Sequence, residues 1–274
     1  MQRLRILRFT FLLLMINGIN AQTKLVVGKK FNITQETALT NTSNMLGSNM
    51  TTSINDTVNF VVEVKSIIDS TMKVTCTLKR VKGLMSMMGQ EQVFDSEDAS
   101  TTSNPMIANI LKDMNKEQEF VLINGKIKNS SASKSNIPEE LAANGIVASN
   151  EALVADLFIP ATIIGKAKGY QWTDEQASDD GNNKSITIFS IVDANPSIIE
   201  ISSNTSISSK GSSKMMGYDV KQNLTGTRTS SQQFNVLLGI LSSSDQTITM
   251  TGTAEVMSMN FPINSKIQTK TIVE

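Results

Sequence analysis

The sequence predicts a mainly β protein whose antiparallel, curved sheets are accompanied by a few helices in the middle of the chain. Three observations lead to this fold class. Segments rich in Val, Ile and Thr recur along the chain, several of them alternate apolar and polar residues, and Asn, Asp, Gly, Ser or Pro separates them. Such alternation is typical of antiparallel strands with one face in water. We expect the abundant Thr, Ser and Asn on that face and in the turns.

The first 21 residues have the pattern of a secretory signal peptide. Arg3, Arg5 and Arg8 precede an apolar stretch, and a small-residue segment ends at Ala21. The apolar stretch is far shorter than the roughly 20 residues that a membrane-spanning helix needs. We therefore expect cleavage after Ala21, export, and no transmembrane segment in the chain that remains.

The cysteine content favours a bacterial protein of the cell envelope. Exported proteins often contain disulfides, but Cys76 is the only cysteine and cannot pair within the chain. Cys76 alternates in phase with Val74 and Leu78, which predicts a small buried side chain on the inner face of a strand. We expect the periplasm or the cell surface of a Gram-negative bacterium.

Strands and helices can be placed along the chain. The segments predicted as short strands are DTVNFVVEV, MKVTCTLKRV, EQVFDS, KSITIFSIVD, SIIEISSNTSIS, QTITMTGTAEVMSM and SKIQTKTIVE. A helix is predicted in NPMIANILKDMNKE, which places Asn104 at the cap and Pro105 at the first helical position. Two more are predicted in IPEELAANG and in NEALVADLF, which Pro160 would end.

A repeated phrase indicates an internal duplication. KGLMSMMG from Lys82 and KGSSKMMG from Lys210 share five residues at a constant spacing of 128. We expect each phrase to form a strand-to-strand connection in which its glycines, Gly89 and Gly217 among them, supply a positive φ.

Two further matches flank this phrase. Gly28-x-x-Phe has a counterpart in Gly169-x-x-Trp172 at a spacing of 141, and FVLINGKI, which contains Gly125, has one in FNVLLGIL, which contains Gly239, at a spacing of 114. Falling spacings are expected when a second copy has lost loops. The first copy carries the extra TNTSNMLGSNMTTS, which we interpret as a loop, and the helix PMIANILKDMNK.

The duplication divides the chain into four parts. They are a signal peptide at 1–21, a first β-rich copy with an inserted helix at 22–136, a helical connection at 137–168 and a second β-rich copy at 169–274. We expect both copies to pack as one pseudo-symmetric unit, with the named glycines and Trp172 as determinants of the fold.

Several segments together carry a family resemblance. They are the Gly169-x-x-Trp172 start, VFDSED, FVLINGKI with Gly125, and the closing sequence from Phe234 through Pro262. With them the chain resembles a family of uncharacterised exported proteins of Bacteroidota-like bacteria, known as a domain of unknown function. The resemblance spans nearly the whole chain after Ala21. It implies export and a β-rich fold, and it brings no activity and no catalytic residue.

The composition argues against most catalytic classes. The chain contains no histidine, which removes the common nucleophile–base arrangements and histidine metal sites. No phosphate-binding glycine loop is present, and the formal net charge is zero, which gives no support for nucleic acid as a partner. We expect no enzyme, no catalytic residue and no cofactor.

One alternative is a carboxylate-dependent hydrolase, since two acids can flank a glycosidic bond. Adjacent acids occur at Glu97-Asp98, Glu139-Glu140, Asp174-Glu175 and Asp179-Asp180, in segments where solvated acids are expected.

Another alternative is a periplasmic copper-binding protein that uses methionine. The chain has 15 Met, and thioethers are soft ligands that suit Cu(I). The candidate ligands are Met85, Met87, Met88, Met215 and Met216. Core packing is the ordinary use of such residues.

The favoured prediction is a non-enzymatic binding or scaffolding protein. Curved antiparallel sheets that are wet outside and apolar inside can form an apolar cleft or present a face to a partner. The expected partner is therefore an apolar small molecule or another protein of the cell envelope.

Overall fold

The computed structural model describes residues 25–45, 48–87, 89–98, 114–130, 150–178, 181–215, 218–257 and 259–274. Their strands form one antiparallel sheet of 12 strands, which confirms the predicted fold class. The strands are β1 (Lys30–Met45), β2 (Ser48–Ile68), β3 (Thr71–Met87), β4 (Gln90–Asp95), β5 (Glu117–Ile123), β6 (Lys126–Ser130), β7 (Gln171–Ala177), β8 (Asn183–Ala194), β9 (Ile198–Met215), β10 (Tyr218–Asn235), β11 (Ile240–Val256) and β12 (Met259–Val273).

One α-helix, α1 (Asn150–Leu157), is present in the described parts of the chain, and the short 3-10 helix Ala161–Ile163 follows it. It confirms the helix predicted in NEALVADLF. The helices predicted from Asn104 and in IPEELAANG lie outside the described residues, apart from the last few residues of the first. No helix in the described ranges has the length and apolar character needed to cross a membrane.

The sheet is built almost entirely from neighbouring strands in the sequence. Its order is β6-β5-β3-β2-β1-β12-β11-β10-β9-β8-β7, so the first and last long strands, β1 and β12, pair in its middle. β4 and β5 both pair with β3 along the same edge, β5 near the start of β3 and β4 near its end. The sheet is therefore a long meander with two edges. Among its described strands, β1 and β12 form the one pair whose members lie at opposite ends of the strand sequence.

The strands are much longer than the sequence predicted. β2 has 21 residues, and the stretch TNTSNMLGSNMTTS, interpreted as a loop, instead forms the end of β1 and the start of β2 around residues 46–47, which are not described. Thr42, for example, pairs with Thr51 on one side and Asn264 on the other. A strand with two neighbours satisfies its backbone groups whatever its side chains are, and Thr fits a pleated surface, so no apolar alternation is needed there.

One face of the sheet carries the core, and we call it the inner face. Successive side chains of a strand point to opposite faces, so buried residues occur at alternate positions in strands such as β1 and β2. In β3 all five residues from Val74 to Leu78 are buried. The core includes Phe60 and Val62 of β2, Phe120 of β5 and Ile201 of β9, and Leu157 of α1 belongs to the same cluster. The helix thus packs on the inner face, and the opposite outer face is largely polar.

The segment after α1 joins distant parts of the sheet. Phe158 forms a bridge with Ile240, and the Ile159 N–H donates a hydrogen bond to the Gly239 carbonyl at 3.1 Å. On the other side, a Cβ at Gly125 would lie 3.3 Å from the Ile159 carbonyl oxygen. This region closes one end of the inner face, which we call the helix end. The opposite end, where β1, β3, β9 and β11 finish, we call the far end.

The two edges of the sheet also approach each other. Lys126 Nζ at the start of β6 lies 3.9 Å from Asp174 Oδ1 on β7, although these are the outermost strands. The sheet is therefore curved around its inner face while its edges remain unpaired in the described residues.

The two Gly-x-x-aromatic starts have the same local geometry. Gly28 and Gly169 have φ values of +85° and +87°, a conformation that favours glycine. Their N–H groups donate to the carbonyls of Val64 and Ile191, each at 2.8 Å, and a register shift follows each of these two residues. This is the geometry that the predicted duplication requires at these sites, and the duplication itself stays a prediction.

Only part of the repeated phrase forms the strand-to-strand connection that the sequence predicted. Gly89 lies in the β3–β4 turn with φ +78°, as expected, whereas Gly217 lies outside the described residues. Gly83 and Gly211 are not in the turns, which corrects the prediction: both lie inside strands, and neither has a positive φ. Gly83 is required for close packing instead, because a Cβ there would collide with the ring of Phe94.

Candidate functional site

A band of polar side chains crosses the inner face beyond the apolar core at the helix end. Inner-face hydroxyls pair across strands: Ser203 and Ser230 Oγ atoms are 2.7 Å apart, and Gln35 Nε2 donates to Thr271 Oγ1 at 3.4 Å. We call this band the polar belt. Its members, in two adjacent rows across the sheet, are Ser203, Ser230, Gln246, Thr269, Thr37, Asp56, Gln232, Ser244, Thr271 and Gln35.

The next row toward the far end is half polar and half apolar. We call it the mixed row, because the side toward β7 bears polar and charged groups and the side toward β3 bears aliphatic ones. In sheet order its members are Asp174, Thr187, Thr205, Arg228, Ile248, Ile267, Leu39, Ile54 and Met85.

Arg228 lies where the mixed row changes character. Its Nε donates a hydrogen bond to Thr205 Oγ1 at 3.3 Å, and Thr205 Oγ1 is 3.0 Å from Thr187 Oγ1. Among described residues, no carboxylate oxygen lies within 4.0 Å of its guanidinium. Within the described strands Arg228 is the only Lys or Arg that points to the inner face.

Asp156 of α1 lies within range of the Arg228 charge. Its side chain is exposed to solvent, yet the surrounding protein raises its pKa, and the charge of Arg228 opposes this effect.

Apolar side chains on the far half of the inner face are only half buried. They are not part of the apolar core cluster, although they share its face. A cavity of about 430 Å³ is lined by one of them, Ile207, together with Thr205, Ser209, Arg228 and other residues that are mostly polar. We call the half-buried apolar side chains the apolar strip: Ile207, Leu224, Ile248, Met250 and Ile263.

Asp56 is the charged residue of the polar belt, and its side chain is buried. It is 4% exposed, and neither carboxylate oxygen has a well-aligned hydrogen-bond partner. Burial raises its pKa to about 7, and the nearby Thr37 lowers it only in part. The carboxyl is therefore largely protonated below neutral pH.

A larger groove of about 850 Å³ crosses β2, β1, β12, β11 and β10. Its exposed side chains, among them Glu36, Asp245 and Lys270, are of the outer-face phase, and charges of both signs alternate there. Such a surface is typical of a solvated sheet face, so we place the candidate site on the inner face.

The methionines proposed as copper ligands are only partly described. Met85 is half buried on the inner face against the core, and Met87 is exposed at the end of β3. Met215 is the last residue of β9, while Met88 and Met216 lie outside the described residues. No group of three or more His, Cys, Asp or Glu in the described ranges could hold a metal ion. The methionine hypothesis stays a prediction.

The acid pairs are dispersed. Asp174 and Glu175 are consecutive in β7 and point to opposite faces, and Glu97 Oε2 pairs with Arg80 Nη1 at 3.0 Å. Asp179-Asp180 and Glu139-Glu140 lie outside the described residues. The hydrolase alternative stays a prediction.

Trp172 and Cys76 both lie in packed surroundings. Trp172, on the inner face of β7, stacks on Phe189 with ring centroids 4.8 Å apart and lies 5.8 Å from Tyr170. Cys76 is wholly buried in β3, and burial raises the pKa of its thiol to about 12. The thiol is therefore unreactive in the folded chain.

Comparison with known proteins identifies the fold. No family model matches the chain, and no curated protein matches it. Among solved structures it is similar to one of lipovitellin, described as "Lipid-protein interactions in lipovitellin", with a TM-score of 0.51 and 9% identity. The likeness is one of fold. It covers 92% of this chain and 25% of the lipovitellin chain, so the protein spans about a quarter of that relative.

A second solved structure is an outer membrane channel from Pseudomonas putida F1. It matches with 8% identity over 91% of this chain and 97% of that chain, at a TM-score of 0.29. A likeness at this level carries no argument about fold or function.

Arg228 and Asp56 were not singled out in the sequence, although a signal for each exists. Arg228 is in phase with Leu224 and Gly226, and Asp56 is in phase with Ile54, in strands whose other phase is polar. A charged residue in the apolar phase of a strand is the feature that would have found both.

Proposed function

We propose that the chain is a non-enzymatic binding protein that holds an apolar or amphipathic small molecule on the inner face of its curved sheet. The observation that carries this proposal is the apolar strip. Five aliphatic or thioether side chains share the face of the core, yet they remain only half buried, and one of them, Ile207, lines a cavity. Ligand sites are typically concave and combine apolar surface with a few polar groups. Here the apolar strip supplies the apolar surface, and the lining of the cavity is polar apart from Ala177 and Ile207.

The helix end and the far end differ in what fills the inner face. At the helix end, Leu153, Val154 and Leu157 of α1 are buried in the core on the inner face. At the far end no described element covers the strip. Each Å² of apolar surface removed from water contributes roughly 25 cal/mol, so a ligand that covers the strip gains the stabilisation that α1 provides elsewhere.

The fold likeness supports the same proposal. The lipovitellin structure is described as one of lipid–protein interactions, and the likeness to it extends over 92% of this chain. A lipid-like molecule is therefore the first class of ligand to test. We include export in the proposal on the basis of residues 1–21, and membership of the uncharacterised exported family on the segments named above.

A matched pair of substitutions tests the site. Ile248 lies on the inner face in the apolar strip, whereas Ile188 lies on the outer face and is 52% exposed. Titration of a fluorescent fatty-acid analogue should show micromolar binding by the wild-type chain. Ile248→Asn should weaken binding at least fivefold, and Ile188→Asn should leave it unchanged. Circular dichroism should confirm that both variants fold.

Two results would contradict the proposal. One is a folded wild-type chain that does not bind the analogue, and the other is equal weakening by both substitutions.

A further inference from the structure

We propose that Arg228 binds the anionic head group of the molecule held on the inner face, so that the ligand is an amphiphile with a carboxylate or phosphate group. This inference rests on the proposed function and specifies the class of ligand. It is carried by the position of Arg228, between the polar half of the mixed row and the apolar strip.

The first step concerns charge. Arg228 is the only cation that the described strands place on the inner face, and it is half buried without an ion pair. A guanidinium that is partly removed from water favours an anionic partner. The charge of Arg228 acts on Asp156 of α1, and Asp174 belongs to the same mixed row as Arg228. Asp174 Oδ1 already lies 3.9 Å from Lys126 Nζ.

The second step concerns the donors that remain free. Only Nε of Arg228 has a hydrogen bond to a described residue, at Thr205. The two terminal nitrogens keep their N–H donors, and an arginine fork matches carboxylate and phosphate oxygens in a two-point contact. The Thr187–Thr205 pair holds the guanidinium by one side, so its other side can receive the head group.

The third step concerns the tail. Ile248 is opposite Arg228 on β11, and Ile267 is opposite Ile248 on β12, so aliphatic side chains begin one strand away from the charge. Adjacent strands are about 4.8 Å apart. Leu224 and Met250 extend the same surface toward the far end. A head group on Arg228 therefore places an attached chain on the apolar strip.

The experiment compares three ligands with four chains by isothermal titration calorimetry. Oleate has the charged head and the tail, oleyl alcohol has the tail alone, and acetate has the charged head alone. The chains are the wild type, Arg228→Gln, Arg228→Lys and Lys266→Gln. Lys266 is an exposed cation on the outer face of β12, so its substitution removes the same charge from elsewhere.

We expect the wild type to bind oleate about tenfold more tightly than oleyl alcohol, and to bind acetate undetectably. Arg228→Gln should bind both long-chain ligands equally, Arg228→Lys should keep part of the preference, and Lys266→Gln should keep all of it. A preference for oleate that survives Arg228→Gln would overturn the inference. Equal binding of oleate and oleyl alcohol by the wild type would also overturn it, while the proposed function would stand.

Binding of acetate as tightly as oleate would identify a simple anion site and would overturn the inference that the ligand is an amphiphile. Failure of the wild type to bind either long-chain ligand would contradict the proposed function itself, and this inference with it.

Discussion

The ring of Phe94 on β4 occupies the space that a Cβ at Gly83 on β3 would fill. The ideal Cβ would lie 2.6 Å from the ring carbon Cζ, closer than any real contact of this kind. Asp56 is opposite Gly83 on β2, so the buried carboxyl and the ring belong to the same part of the inner face. A glycine of the repeated phrase therefore serves packing against the core.

Gly83→Ala should lower the free energy of unfolding by about 2 kcal/mol, because the added methyl group overpacks the site against the Asn55 carbonyl oxygen and the Phe94 ring. Gly211→Ala is the matched control from the second phrase, where a Cβ meets nothing within 4 Å. It should change stability by less than about 0.5 kcal/mol. Urea unfolding of the two variants would measure both values.

Removal of the ring should relieve part of the effect of the added methyl group. In a chain that already carries Phe94→Ala, the further change Gly83→Ala should cost less than it does alone, and the remainder should persist because the Asn55 carbonyl oxygen and the Asp56 Cα also lie in the way. A cost that is the same in both backgrounds would show that the ring is not the cause.

Asp56 should make stability depend on pH between about 4 and about 7. Its pKa is about 7 in the folded chain, against an ordinary value of 3.8. Between these values the folded state keeps a proton that the unfolded state releases, so the free energy of unfolding falls as pH rises through this range. The loss levels off above about pH 7, at about 4 kcal/mol as an order of magnitude.

Asp56→Asn should remove most of this pH dependence and should be more stable than the wild type at pH 8, because an amide cannot ionise. Asp245→Asn, on the exposed outer face, should retain the wild-type dependence. Thermal unfolding at pH 5 and pH 8 measures the difference. An Asp56→Asn variant with an unchanged pH profile would show that the carboxyl is not held in its neutral form.

Cys76 should resist alkylation in the folded chain. Its thiol is wholly buried and has a pKa near 12, so almost no thiolate is present near neutral pH. N-ethylmaleimide at about pH 8 should leave the native chain unmodified over hours and should label it within minutes in guanidinium chloride. Mass spectrometry measures the labelling. Rapid labelling of the native chain would contradict the described packing of β3.

Gly28 and Gly169 should respond alike to substitution. Both have a positive φ, and a Cβ at either one meets nothing within 4 Å, so Gly→Ala adds backbone strain alone. We expect each change to cost about 1 kcal/mol in the free energy of unfolding. Costs that differ by more than about 1 kcal/mol would argue against equivalent roles for the two positions.

The sequence predicted the phase of the strands better than their extent. The alternation around Cys76 placed it correctly on the inner face, since burial selects apolar residues at every second position. The strand ends around Thr42 and Thr51 were missed, because backbone pairing with two neighbours sustains a strand without an apolar pattern. The residue pattern of a single strand does not show which strands pair with it.

The candidate site was less predictable than the fold. The mixed row joins residues from nine strands, and only the curved sheet brings Arg228 near Asp156 of α1. Such proximity depends on register across many strand pairs, which a local pattern does not encode. The methionine and acid clusters, by contrast, are evident in the sequence because their residues are adjacent. Consecutive residues of a strand point to opposite faces, so adjacency in the sequence does not bring their side chains together.

The central claim is that the inner face holds an apolar or amphipathic molecule, and native mass spectrometry tests it most directly. The chain would be purified without detergent, examined as isolated, and then offered oleate and, separately, Cu(I). We expect a mass that carries one extractable apolar molecule, or uptake of one oleate by a bare chain, with Ile248→Asn deficient in both. A bare chain that takes up no oleate would contradict the claim, and stoichiometric retention of Cu(I) by that chain would favour the methionine alternative.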